Sequence, residues 1–300
     1  MKNSFINSID KISNQDYKNI LKDDDSPLIS HEFLNALEAS GSAIQGNGWQ
    51  PMHLILEDDS NLSGFLPLYL KNNSHGEFVF DHQWSYALKR AGREYYPKLL
   101  SAIPFTPCET RKFISKNQIE ASSFIDPTIE YMEKNNVETW HILFPDESVS
   151  EDLIKNNLIK RGGYRFVWNN KNYSNFDEFL NIFTSRQRKN IRTERNKILK
   201  NNISFSIKDK QNITLDDWKT FYEFYKSTYL ERMQAPYLNF SFFELIHKNK
   251  DILQPVIFFA ELNDQSVAGS LCFQGKDILY GRHWGASMMI DSLHFECCYY

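Results

Sequence analysis

Met52-His-Leu-Ile-Leu-Glu57, a polar turn and Leu62-Ser-Gly64-Phe-Leu-Pro-Leu-Tyr69 form a pattern that returns later in the chain. The second copy is Val256-Ile-Phe-Phe-Ala-Glu261, a polar turn and Val267-Ala-Gly269-Ser-Leu-Cys-Phe273. Each copy has an apolar strand ending in Glu, an acidic or amide-rich turn, and a second strand with Gly two residues after its first apolar residue. Gly64 and Gly269 lie 205 positions apart. A third strand is expected after each copy, at Gly76-Glu-Phe-Val-Phe80 and at Ile278-Leu-Tyr-Gly-Arg282. Self-similarity at this distance predicts one sheet-forming unit used twice.

The rest of the chain supports two such units. A length of 300 residues favours about two domains. Helix and strand alternate through residues 30–168, which is α/β or α+β behaviour. Strands are predicted at 5–12, 99–105, 139–144 and 164–168, and helices at 84–100, 118–135 (bent near Pro127) and 151–160. Ser30 reads as the N-cap of a helix that Gly41 stops. Residues 169–175 are polar and lack an apolar period, so they are the expected linker between domains at 1–168 and 176–300. Phe176, Phe179, Leu180, Phe183, Ile191 and Ile198 fit one face of a helix over 176–201. Thr214 and Asp217 have the spacing of a capping box, opening a helix with the stripe Trp218, Tyr222, Tyr225 and Tyr229. That stripe reads as core. Ser292-Leu-His-Phe-Glu-Cys-Cys-Tyr-Tyr300 reads as the start of a helix with no stop signal, so the second domain is expected to be incomplete at its C-terminal end.

The net charge of −4 argues against a surface that coats nucleic acid, while leaving room for a local basic site. Cys108, Cys272, Cys297 and Cys298 form no disulfide framework. The N-terminus has no apolar h-region, and the apolar run at 256–260 is too short to span a bilayer. The expectation is a reduced, cytoplasmic protein without an integral membrane segment. His294, Cys297 and Cys298 lack the second ligand pair of a metal site, so no metal is expected.

Tyr280, Arg282 and Trp284 alternate with His283, so a regular strand would show the first three on one face and His283 on the other. Arg282 between two aromatic rings is suited to a phosphate or carboxylate, or it snorkels from the sheet. His283 is a candidate base near neutral pH or a packed strand residue. Glu296 in an apolar helix start is a second candidate base, or a first-turn Glu favoured by the helix dipole. Arg188, Arg192 and Arg195 fall on one face of a basic helix, a candidate site for an anion or a phosphate backbone, or a solvated face.

Several stretches resemble the FemAB-like branch of the GNAT acyltransferase superfamily, the peptidoglycan biosynthesis and recognition proteins. They are Ser26-Pro-Leu-Ile-Ser-His-Glu-Phe-Leu-Asn-Ala-Leu-Glu38, residues 64–71, Gly76-Glu-Phe-Val-Phe-Asp81 and Tyr95-Tyr-Pro-Lys-Leu-Leu-Ser-Ala-Ile-Pro-Phe-Thr-Pro107. Ser185-Arg-Gln-Arg-Lys-Asn-Ile-Arg192, Leu279-Tyr-Gly-Arg-His-Trp-Gly285 and Leu293-His-Phe-Glu296 complete the set. The resemblance implies α/β (α+β) architecture with tandem GNAT-like domains, each a mixed, mostly antiparallel sheet flanked by helices. It implies acyl or aminoacyl transfer to a small-molecule or peptide-like amine, with acyl-coenzyme A or aminoacyl-tRNA as donor and tRNA as a partner in the second case. A non-catalytic protein that recognises a peptidoglycan or peptide ligand is the alternative. The counterpart of the family superfold's glycine-rich phosphate loop, Phe105-Thr-Pro-Cys-Glu-Thr-Arg-Lys112, has no glycine and carries Glu109 where an anion would approach.

Overall fold

The computed structural model describes residues 1–164 and 166–300. The strands are β1 (Lys2–Ile6), β2 (Trp49–Pro51), β3 (His53–Asp58), β4 (Asn61–Leu66), β5 (Tyr69–Lys71), β6 (Lys98–Ser101) and β7 (Trp140–Ile142), followed by β8 (Ile203–Lys208), β9 (Pro255–Leu262), β10 (Gln265–Gln274) and β11 (Leu279–Ala286). The helices are α1 (Asn14–Asn19), α2 (His31–Ala39), α3 (His82–Arg90), α4 (Ser122–Asn135), α5 (Glu147–Lys155) and α6 (Phe176–Leu180), followed by α7 (Ser185–Lys200), α8 (Leu215–Leu230), α9 (Phe240–Lys248), α10 (Lys250–Leu253) and α11 (Leu293–Cys298). The strands form three sheets, in the orders β1-β3-β4, β2-β5-β6-β7 and β11-β10-β9-β8. Pairing is antiparallel except between β6 and β7. The fold is therefore mixed α+β, as expected.

The quoted repeat forms two hairpins, β3–β4 and β9–β10. Their likeness extends to the turns. Asp59 and Ser60 have φ of 46° and 66°, and Asn263 and Asp264 have 51° and 61°. Two consecutive left-handed residues are what a two-residue hairpin turn needs to match strand twist. Gly64 and Gly269 both admit rings: a Cβ would lie 2.8 Å from Phe124 at the first and 3.1 Å from Phe221 at the second.

The copies then diverge. β11 is the predicted third strand, but residues 76–80 form a loop. Pro67, which has no N–H for a ladder, ends β4, and β5 then pairs in a different sheet. Within that loop Phe78 is left-handed (φ 57°) and Glu77 is buried among charged partners, which a regular strand there would not provide.

Other expectations shift locally. The predicted helix over 176–201 is two helices, because Thr184 and Gln187 make a reciprocal capping box that starts α7 afresh. Thr214 and Asp217 form the predicted box at α8. Ser30 caps α2, and Gly41 (φ 78°) follows its end. α3 ends at Arg90, short of the expected 100, and β1 ends at Ile6. The expected strand at 164–168 is absent at Tyr164 and Phe166, Val167 and Trp168; Arg165 lies outside the described residues.

Residues 169–175 form no helix or strand. One buried cluster nonetheless gathers side chains from both sides of them, including Phe33, Trp49 and Phe105 with Phe221, Phe242 and Phe273. Phe33 meets Phe242 and Phe273 edge-on at 5.8 and 5.4 Å. This shared core puts the 105–112 loop against β11 and α8.

Candidate functional site

Arg282 occupies a β-bulge. Leu271 of β10 pairs with His283 and Cys272 with Gly281, so Arg282 is the extra residue between them. The bulge breaks the period of two and corrects the expected faces. Tyr280 packs on the main core, and His283 on the same face meets the Tyr225 ring edge-on at 5.0 Å. Trp284 lies on the other face, against the smaller core of Ile198, Ala260 and Leu293, with its ring 5.1 Å from His294. Tyr280, Arg282 and Trp284 therefore do not form one row.

The bulge aims Arg282 at the 105–112 loop. Its guanidinium donates to the carbonyl oxygen of Phe105 and lies 3.8 Å from the Cys108 thiol. Phe105 is left-handed at φ 56°, which is rare for a bulky side chain and is held here by the rings packed against it. Tyr237 stacks on it at 5.1 Å and 13°, and Trp49 lies 5.3 Å away. Tyr237 meets Tyr229 at 5.3 Å, and Tyr229 meets Tyr225 at 4.9 Å. A run of rings thus lines the seam between the two halves, with Arg282 and the Phe105 backbone as its polar centre. Tyr225 is core, as its stripe suggests, but half-buried Tyr229 reaches the seam.

Gly285 explains how α8 approaches so closely. A Cβ there would sit 1.9 Å from the Phe224 carbonyl oxygen. The contact is completed by Ser227, whose hydroxyl donates to Ala286 O at 2.7 Å, and Thr228, whose hydroxyl donates to Trp284 O at 2.9 Å. Gly285 therefore admits the helix backbone.

Burial, and secondarily the Arg282 charge, holds the His283 pKa well below its usual value. The ring is neutral at pH 7, able to accept a proton but weakly basic. On the loop, Lys112 is buried and its ammonium donates to Thr110 O at 2.9 Å, Thr110 Oγ1 at 2.7 Å and Phe144 O at 2.9 Å. Burial pushes its pKa down to about 7, against the pull of Asp146. It fixes the end of the loop to Phe144, another left-handed Phe (φ 50°).

The remaining predicted residues lie on a separate surface. Glu296 accepts from Arg195 Nε at 2.9 and 3.1 Å, and Arg195 also covers the Phe176 ring at 4.1 Å. Arg192 reaches Asp177 at 3.2 Å, and Arg188 donates to Phe183 O at 2.7 Å. Each of the three arginines thus has a protein partner, and Glu296 is bound to one of them rather than to His283 or Tyr280.

A buried ionic cluster escaped sequence reasoning. Lys98 on β6 donates to Glu77 and Ser74, both at 2.8 Å, and to Asp81. Tyr95 donates to Asp81 at 2.7 Å and lies 3.1 Å from His141 Nε2. Lys71 on β5 lies 4.0 Å from Glu77 and 3.7 Å above the Trp49 ring. Burial lowers Lys71 to about 7 despite Glu77. Burial opposes ionisation of Asp81, yet hydrogen bonds from Lys98, Ser74 and Tyr95 outweigh it and hold the carboxyl at about 2. The available signal was two lysines inside otherwise apolar strands, Tyr69-Leu-Lys71 and Lys98-Leu-Leu-Ser101.

Comparison with known proteins adds a family and two structural likenesses. The family model FemAB_like, described as peptidoglycan biosynthesis/recognition, matches residues 8–300. Among solved structures, FemX is 16% identical, with a TM-score of 0.44, over 87% of this chain and 58% of its own. A conserved protein of unknown function from Bacteroides thetaiotaomicron VPI-5482 is 10% identical, with a TM-score of 0.49, over 98% of this chain and 84% of its own. This chain thus spans 58% of the length of FemX. No curated protein sequence matches it.

Proposed function

Because the chain belongs to the FemAB-like family of peptidoglycan biosynthesis and recognition proteins, we propose that it transfers an acyl or aminoacyl group to an amine on a peptidoglycan-type precursor. The family match across residues 8–300 is the observation that carries this reading. The donor is acyl-coenzyme A or aminoacyl-tRNA, and the acceptor a small or peptide-like amine. The reading includes a division into GNAT-like domains at 1–168 and 176–300, and a cytoplasmic location. Among the described residues, no helix is long and apolar enough to cross a membrane.

The seam between the halves is the proposed site. Arg282 supplies a fixed positive charge beside the phenolic rings of Tyr229 and Tyr237, where a phosphate, carboxylate or developing oxyanion would be stabilised. Neutral His283 is available to accept the proton that the acceptor amine loses as its nitrogen attacks the acyl carbon, with Tyr280 on the same face. Arg282 would exchange its bond to Phe105 O for the bound anion, coupling occupancy to the seam.

Purified protein should be offered acyl-coenzyme A donors, charged tRNAs and peptidoglycan-precursor peptides, with product mass as the readout. Transfer that falls at least about a hundredfold in Arg282→Ala supports the site. Absence of both transfer and donor binding sinks the reading.

A recognition role without catalysis is the second reading. It is favoured by the internal partners of Arg188, Arg192 and Arg195, which leave that basic face engaged. Precursor-peptide binding unchanged in Arg282→Ala and His283→Ala, without turnover, would select it.

A further inference from the structure

The seam makes no use of an unusual apolar surface on the first half. Ile159, Tyr164 and Phe166 are 87%, 104% and 102% exposed, and Val167 and Trp168 are more than half exposed. Side chains of this kind gain free energy by leaving water, so their clustering at a surface marks an interaction site. Arg161 donates to the carbonyl oxygen of Phe80 at 2.8 Å, which ties this stretch to a second one distant in sequence. Phe80 is itself exposed, and α3 just beyond it buries no residue. Trp84 and Tyr86 are exposed on α3, with Arg90 lying 5.8 Å from the Tyr86 ring.

The charge of this region runs against that of the chain. From Leu153 to Asn175 the sequence has Lys155, Lys160, Arg161, Arg165 and Lys171 and no acid, within a protein of net charge −4. Lys155 is paired with Asp152 at 3.2 Å, whereas Lys160, Arg161 and Lys171 are all exposed. Aromatic and aliphatic side chains flanked by Lys and Arg suit the headgroup level of a bilayer, where rings sit at the boundary and cations meet acidic lipids.

We propose that residues 159–164 and 166–168, with Phe80 and α3, dock the protein on an anionic lipid surface. Tyr164, Phe166, Val167 and Trp168 enter the headgroup boundary, and Lys160 and Arg161 face the acidic headgroups. A nucleic acid also attracts basic residues beside aromatic rings. Ile159 and Val167, however, have no ring to stack on a base, while both partition into a lipid interface. The proposal is independent of acyl transfer, because these side chains lie outside the seam.

Sedimentation of the full chain with vesicles tests it. Vesicles of phosphatidylglycerol and phosphatidylcholine should bind the protein, and vesicles of phosphatidylcholine alone should bind it far less. Lys160→Glu with Arg161→Glu, or Phe166→Ser with Trp168→Ser, should each weaken binding at least about tenfold while leaving the melting temperature unchanged. Tryptophan emission should shift to the blue on vesicle addition, and the shift should shrink in Trp168→Phe. Failure to bind anionic vesicles overturns the proposal, as does binding that both double variants retain. Loss of affinity for an RNA oligonucleotide in the same variants, without vesicle binding, would assign the surface to nucleic acid and likewise overturn it.

Discussion

Arg282, the extra residue of a bulge in β11, donates its guanidinium to the main-chain carbonyl of Phe105, 177 residues earlier in the chain. One charged side chain thereby links the second-half sheet to the 105–112 loop of the first half. The loop's backbone carbonyl is engaged by the protein's own cation, and the same cation lowers the pKa of neighbouring His283. The seam's structure and its proposed chemistry therefore share a residue.

Arg282→Ala should cost about 1.5 kcal/mol, the lower end for a hydrogen bond to a charged group, because the side chain is only half-buried. Arg282→Lys should recover only part of this, since an ammonium cannot reproduce the guanidinium fork between Phe105 O and Cys108. Urea midpoints measure both. The NMR titration of His283 should also move: removing the neighbouring charge in Arg282→Ala raises its pKa, while Arg282→Lys leaves it nearer wild type.

Gly285 and Gly281 lie on one strand but should respond oppositely to a methyl group. A Cβ at 285 would overlap Phe224 O at 1.9 Å, so Gly285→Ala must move α8 off the sheet and should cost about 1–3 kcal/mol. At Gly281 nothing lies within 4 Å of a Cβ, and Gly281→Ala should be within about 0.5 kcal/mol of neutral. Thermal melts of the two variants give the comparison directly.

The legible parts of this fold were those set by local chemistry. Apolar strands around a polar turn predicted both hairpins, and Ser30, Gly41, Thr214 and Asp217 predicted helix ends because capping needs only neighbours in sequence. What could not be read was set by partners far along the chain. The bulge at Arg282 depends on β10 register, and it reverses the face of Trp284 relative to Tyr280. The loop at 76–80 reads as a strand until Lys98 is placed beside Glu77. Arg282, Trp284 and Glu296 were recognisable as residues of interest, but their neighbours Phe105, His294 and Arg195 come from other elements.

Lys98→Met should be among the most damaging substitutions outside the seam. It leaves Asp81 buried without its cation and Glu77 with only the more distant Lys71, a loss of about 3–5 kcal/mol. The pH response should change as well. Asp81 has a folded pKa near 2, below its unfolded value, so it contributes stability above the unfolded pKa that is lost as pH falls through the folded one. In Lys98→Met this contribution should shrink and acid unfolding should begin at higher pH. Circular dichroism across an acid titration would show the shift, and an unchanged acid midpoint would contradict it.

Lys112 predicts a slope at the alkaline side. Its folded pKa is near 7 and its unfolded value near that of a free lysine, so between them the unfolded chain binds the extra proton. Stability from this group therefore rises with pH above about 7, the reverse of the behaviour of a lysine strengthened by an ion pair. Buried Tyr17 and Tyr69, whose pKa values are raised by burial, act oppositely once free tyrosines ionise near pH 10, so the window for measurement is about pH 7 to 9.5. Lys71, also lowered to about 7, contributes in the same direction. Lys112→Met should lower stability most at the alkaline end of the window, where the native lysine's burial penalty has been relieved and Thr110 O and Phe144 O lose their donor, and should flatten the slope by Lys112's share. Urea unfolding at intervals through the window separates the two effects: the loss at the alkaline end reports the hydrogen bonds and the change of slope reports the proton. A variant displaced downward with an unaltered slope would show that Lys112 stays charged in the folded protein, held as an ammonium by its three oxygen acceptors.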